Sequence, residues 1–223
     1  IGMLRTDGKE NLVSAIEIAA ASSNGQPLVP EVTIFFEYQL FRGNRTTKHN
    51  AEHFNAFGSY NYQPLAQAGI TIKYNFAFIH YFTKKQELRV HPYIDNSVAV
   101  LKLFPGISPS TVDAVINTPD VKAIIIETYG SGNALSQQWF LKRVKKAINK
   151  GIVVLNVTQC QAGSVDMDKY YNGLLLKKAG VVSGKDITFE AAVVKLMFLL
   201  GKGYSVEELV QQLEKSISGE ITT

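Results

Sequence analysis

Apolar positions follow two rhythms along the chain. In TDGKENLVSAIEIAAAS, Leu12, Ile16 and Ala19 recur at helical spacing, with Asp7 placed to cap the helix and Glu10 to close a capping box. EVTIFFEY then reads as a buried strand, and the polar segment LFRGNRTTKHNAEH, Leu40 to His53, lies at its carboxyl end. Between Ala51 and Pro92 the signals mix, and aromatic-rich pieces such as TIKYNFAFIHYF predict further strands or extended chain without fixing their pairing.

From Val98 the pattern becomes regular. VAVLKLF is an apolar strand closed by Pro105-Gly106, after which Ser108 and Pro109 start a helix with Val112, Val115 and Ile116 on one face. VKAIIIETYG is a second strand, followed by a helix carrying Phe140, Val144, Ala147 and Ile148 and stopped by Gly151. IVVLNVTQC is a third strand and GVVSG a shorter fourth. TFEAAVVKLMFLLG is largely apolar all round, which predicts a buried helix. The last helix begins at Ser205, with Glu208 completing a capping box and Val206, Leu209, Val210, Leu213 and Ile217 forming its apolar face.

Continuous apolar strands alternating with helices imply a parallel sheet covered on both faces, because parallel strands need crossover helices that bury them. Residues 98–223 therefore read as a complete small α/β domain, residues 1–92 as the remainder of another domain, and 93–97 as the linker. IGMLRTDGKENL has no initiator Met and runs almost directly into a helix, so the expectation is a piece of a longer polypeptide.

Composition narrows the class. With 223 residues, 46% hydrophobic and 19% charged, the chain suits an ordinary globular protein with a sizeable core. The formal charge of +4 is spread out except for Lys142, Arg143, Lys145 and Lys146, a run that reads as a solvated helix face and not a nucleic-acid patch. No apolar run approaches the roughly 20 residues of a membrane span. Cys160 is the single cysteine, so no intrachain disulfide can form and a reducing compartment is favoured.

Ligands in open α/β sheets gather beyond the carboxyl ends of strands. Three such ends are polar here: PGIS, TYGSGN and TQCQAGS. Gly130 and Gly132 permit close backbone approach and Asn133 offers both donor and acceptor, although turn glycines and a capping asparagine explain the same letters. GSGN is not the six-residue dinucleotide fingerprint, which excludes a Rossmann cofactor site. HNAEH matches the H-x-x-E-H zinc pattern, with Glu127 as a nominal third ligand. Cys160, just after a strand, is compatible with a small buried hydrophobe. Lys48 beside Thr47 reads either as a surface lysine or as a desolvated proton-transfer group.

IGMLRTDGKENLVSAI, LFRGNRTTK, ETYGSGNA, GIVVLNVTQCQAGSV and DITFEAAVVKL, in that order, give the chain a close resemblance to the bacterial L-asparaginase family, in particular its cytoplasmic type I branch. The resemblance implies a two-domain asparaginase-like α/β fold, here with a truncated N-terminal α/β domain and a smaller C-terminal parallel-sheet domain. It implies intimate dimers assembled into tetramers, L-asparagine as substrate, a threonine nucleophile with an acyl-enzyme, and no metal or organic cofactor. It puts the lysine of a Thr-Lys-Asp triad on Lys48. It puts two substrate-binding groups from a neighbouring subunit on Asn133 and Glu190, a carboxylate suited to an α-ammonium. It puts two groups of an allosteric site on Thr47 and Cys160, where Glu127 replaces an arginine and reverses the charge. The family's Thr-Gly-Gly-Thr and Gly-Thr-Asp-Thr motifs are both missing from the sequence, so the 223-residue chain alone is expected to be inactive and to need an N-terminal segment of the same enzyme as its partner.

Overall fold

The computed structural model describes residues 6–82 and 87–222, which fall into two units, one up to Arg89 and one from Val90. The first unit opens with α1, Gly8–Ala20. Asp7 does not cap it, because its backbone is already helical and its carboxylate accepts from the Asn11 amide instead, while the Thr6 hydroxyl accepts from the Gly8 N–H. The predicted inward face is also reversed. Ile18 is buried, whereas Leu12 and Ile16 are 51% and 60% exposed.

A small hairpin, β1 (Ser22–Ser23) with β2 (Gln26–Pro27), precedes an antiparallel sheet. Its strands are β3 (Thr33–Phe36), β4 (Gln39–Arg42), β7 (Ala66–Ala68) and β8 (Ile72–Tyr74), in the order β3-β4-β7-β8. Glu37 and Tyr38 turn β3 into β4 with φ of 44° and 66°, the two-residue hairpin geometry that matches strand twist. Consequently LFR belongs to β4 and not to a loop beyond a buried strand, and β3 itself is only half-buried. A second pair, β5 (Thr47–Lys48) and β6 (Phe57–Gly58), joins Thr47 to Gly58 and Lys48 to Phe57. The core of this unit is small: Ile18, Leu40, Leu65, Ala66 and Ile79.

The second unit is built on a four-stranded parallel sheet, β9 (Val98–Lys102), β10 (Ala123–Thr128), β11 (Val153–Thr158) and β12 (Val182–Ser183), side by side in chain order. Alternate residues of β10 face opposite cores. Ile124 and Ile126 join α2 (Pro109–Ile116), α3 (Gln138–Asn149) and α4 (Tyr171–Ala179) on one side. Ala123 and Ile125 join α5 (Phe189–Gly201) and α6 (Val206–Leu213) on the other. Each fully buried Leu or Ile contributes about 1.5–3 kcal/mol, so the twice-covered sheet dominates the apolar stabilisation.

Sequence signals hold well here. Ser108 accepts from the Thr111 N–H with Pro109 at the first helical position, and Ser205 and Glu208 form the reciprocal capping box. Two expectations need correction. α5 is buried on one side only, with Ala192, Leu196 and Leu199 inward and Val194 60% exposed, and Ile217 lies beyond the end of α6. Sequence reasoning also missed α4, whose NGLLLKKAG carries a glycine within it and a left-handed Gly180 cap at φ 99°.

Candidate active site

At the carboxyl ends of β10 and β11 the chain assembles a hydrogen-bonded platform. The Thr128 hydroxyl donates to Asn156 Oδ1 at 2.6 Å, and Asn156 Nδ2 donates to the Gly132 carbonyl at 3.2 Å, with Thr128 and Asn156 both fully buried. Burying these groups is tolerable because each is paired. Tyr129 and Asn133 exchange two backbone hydrogen bonds of 2.8 Å, closing a tight loop over Gly130 and Gly132. Gly132 has φ of 103°, and a Cβ there would stand 2.8 Å from Val165 Cγ1, so the loop requires glycine twice over. The turn thereby fixes the Cα of Asn133, and its half-buried side-chain amide accepts and donates in none of the described hydrogen bonds.

Gln159 ties three strand ends together. Its Nε2 donates to the carbonyls of Leu103 and Glu127 at 2.7 and 2.8 Å, and its N–H donates to Thr128. Thr158 donates to the Gly130 carbonyl and accepts the Cys160 N–H at 3.0 Å. Cys160 is exposed, which corrects the buried-hydrophobe reading: the strand ends at Thr158, so Cys160 lies beyond it, outside the buried part of the sheet. Gly130, Ser131, Cys160, Gly163, Asp166 and Lys169 line a cleft of about 320 Å³. Close by, the Tyr129 hydroxyl is buried with no hydrogen-bond partner among the described residues, and burial pushes its pKa up. Glu127 stands opposite Lys102 in register, with the ammonium 3.6 Å from its carboxylate across β9 and β10.

Glu190 lies exposed in the first turn of α5, where Thr188 caps the helix by accepting from the Ala191 N–H at 3.2 Å. A carboxylate there is favoured by the unpaired N–H groups of the helix start. The segment is anchored from behind. Asp186 accepts from the N–H and hydroxyl of Thr222. Lys195 donates to the carbonyls of Leu213 and Lys215 and to Glu220 at 2.8 Å, both charged side chains being at most 5% exposed. Burial pushes the Lys195 ammonium below its ordinary value. It opposes ionisation of Glu220 too, but Lys195 and the N–H groups of Ser218 and Ile217 outweigh it, leaving that carboxylate below its usual range.

In the first unit Lys48 is exposed on β5, beside the half-buried Thr47. Beneath them the chain is held by buried arginines. Arg42 forms a two-pronged ion pair with Glu31, and both Arg42 and Arg45 stack on Tyr62, with guanidinium carbons 4.3 and 5.1 Å from the ring centre. Arg45 also donates to the Asn61 carbonyl. HNAEH is not helical: Asn50 Oδ1 accepts the N–H groups of Glu52 and His53 in a local turn, so the two histidines are not stacked one helical turn apart as the zinc pattern requires. Among the described residues no group of three His, Cys, Asp or Glu side chains is placed to hold a metal.

Sequence reasoning did not single out Asn156, Gln159 or Lys195. Each had a signal, namely a polar residue interrupting an apolar run or following directly on one, as in IVVLNVTQC and AAVVKLMF.

The fold and platform define a two-unit α/β protein whose polar chemistry gathers at the carboxyl ends of parallel strands. Residues 1–79 match the N-terminal asparaginase domain, and residues 97–213 match the glutaminase/asparaginase C-terminal domain. The chain belongs to the asparaginase family. It is 41% identical to L-asparaginase 1 of Escherichia coli K12 over 220 residues, 98% of this chain and 63% of that protein. It is 40% identical to the mouse 60 kDa lysophospholipase over 223 residues, spanning 38% of that protein. The crystal structure of L-asparaginase I from Vibrio cholerae superposes with a TM-score of 0.90 at 39% identity, covering all of this chain and 65% of the other. The chain thus spans less than two thirds of each.

Proposed function

We propose that the protein carrying this chain hydrolyses L-asparagine to L-aspartate and ammonia. The reading rests on one observation above all: both asparaginase domains match in order, alongside 41% identity to a protein named L-asparaginase 1. On this reading residues 1–92 belong to the N-terminal domain, 93–97 link the domains, and 98–223 form the C-terminal domain.

The chemistry is covalent. A threonine hydroxyl adds to the side-chain amide carbon, ammonia leaves, and water cleaves the resulting ester. Lys48 relays protons beside that threonine. Asn133 and Glu190, from a neighbouring subunit of a homodimer that pairs into a tetramer, receive the α-amino end of the substrate; the half-buried amide of Asn133 and the exposed carboxylate of Glu190 suit that task. Thr47 and Cys160 match two positions of the family's allosteric site, but Glu127 stands where that site has an arginine, so cooperative activation by asparagine is not expected. The site is read as cytoplasmic and free of cofactor. Neither threonine motif occurs in these 223 residues, so they supply lysine and substrate contacts but no nucleophile.

The test is ammonia release from L-asparagine by the complete purified protein, compared with its Lys48→Met variant and with the 223-residue chain alone. Turnover by the complete protein and none by the other two is expected. Absence of turnover by the complete protein, or turnover by the 223 residues alone, overturns the corresponding part of the reading.

A further inference from the structure

The geometry points to Phe57 as a positioning residue for Lys48. This inference rests on the role given to Lys48 above and adds to it the group that holds the ammonium. Lys48 and Phe57 are register partners in the β5-β6 pair, so their side chains leave the same face directly opposite each other. Lys48 Nζ sits 5.6 Å from the centre of the Phe57 ring, within the range where the negative face of an aromatic ring attracts a cation.

The other described lysines over rings are Lys169 on Tyr170, its neighbour in sequence, and Lys202 on Phe198, one turn away on α5. Only Lys48 receives its ring across a strand pair, which fixes the partner by backbone hydrogen bonding and not by local chance. The ring is itself braced: Phe36, at the end of β3, packs on it with centroids 5.0 Å apart and planes tilted by 59°. The neighbouring backbone is equally constrained. His49 donates to the Ala56 carbonyl at 2.8 Å, and a Cβ on Gly58 would meet the His49 and Tyr60 rings at 3.3 Å.

A flexible four-carbon stem carrying a proton-transferring amine otherwise samples many rotamers, and misplacement at the reacting centre lowers turnover. A ring in fixed register narrows that sampling without hydrogen-bonding the amine, so the three N–H donors stay available to substrate and threonine. Phe57 therefore acts on kcat through Lys48 and makes no substrate contact.

The experiment uses the complete asparagine-hydrolysing protein. Phe57→Leu keeps an apolar side chain and removes the ring; Phe57→Tyr keeps the ring. The expected result is that F57L lowers kcat by about two- to fivefold, the scale of an exposed cation–ring contact, with KM within about twofold of the parent. F57Y retains the parent kcat, and Phe36→Leu, which loosens the brace but keeps the ring, gives a smaller loss in kcat alone. Equal losses in F57L and F57Y, or a loss confined to KM or to thermal stability, overturn the inference. Lys48→Met run alongside separates the two readings: an active K48M removes the role of Lys48 itself, whereas an inactive K48M with an unaffected F57L removes only that of Phe57.

Discussion

The two units stabilise their sheets in different ways. In the second, the three crossover helices cover one face of the sheet and α5 and α6, which follow the last strand, cover the other, so β10 and β11 are buried on both faces. In the first, antiparallel hairpins follow one another with a single α-helix among the described residues, and that helix turns Leu12, Val13 and Ile16 outward, each more than half exposed. Parallel connectivity therefore yields a core closed within its own segment, whereas short antiparallel strands leave apolar surface uncovered. The candidate groups follow the same division. Asn133 stands on a platform locked by buried side chains, and Lys48 stands on a two-residue strand pair.

The contrast is open to direct attack. The largest effect is expected from Lys195→Ala, which strips Glu220 of its buried cation and should destabilise the second unit by about 3–5 kcal/mol, read by urea unfolding through Trp139 fluorescence. Fully buried leucines provide a matched pair: Leu196→Ala should lose about 4 kcal/mol and Leu65→Ala in the first unit about 2 kcal/mol, because the less tightly covered site collapses more readily. Equal losses would sink the comparison; hydrogen exchange resolved by unit measures both. Gly132→Ala adds a Cβ against Val165 at positive φ and should weaken the second unit by about 2 kcal/mol. Ser205→Ala, removing the α6 cap, should cost about 1 kcal/mol in the same assay.

The smallest effect is a pH dependence. Lys122, followed by the Ser97 hydroxyl and N–H, holds Asp95 down to about 2 from 3.8. A carboxylate with a lowered folded-state pKa contributes stability that is present above 3.8 and is lost as pH falls towards 2. Asp95→Asn should flatten the acid limb of the unfolding curve in that window, its loss of stability showing above 3.8 and staying small because Lys122 is largely exposed.

Legibility in the sequence followed the same division. Long apolar runs with caps, such as AIIIET and SVEELVQQL, have one physical solution, and the strands and helices of the second unit fall where the periodicity puts them, except α4, which has no side-chain N-cap. In the first unit the strands have two to four residues, too short for a period to register, and the Glu37-Tyr38 turn carries neither glycine nor asparagine to announce itself. Motif letters misled where context decided: HNAEH has the spacing of a zinc helix but Asn50 bends it into a turn. The groups that build the platform, Thr128, Asn156 and Gln159, act through contacts about 30 residues or more apart, which no local pattern encodes.

The Lys195 clasp also sets an order of events during synthesis. α5 is complete about twenty residues before Glu220 is made, and Leu213 and Lys215, whose carbonyls fill the remaining donors of Lys195, are themselves late. A charged amine has no stable place in that interior until its acceptors exist. The face of the sheet covered by α5 and α6 therefore reaches its full set of contacts only with residues 213–220 in place, whereas α2, α3 and α4 cover the other face without them.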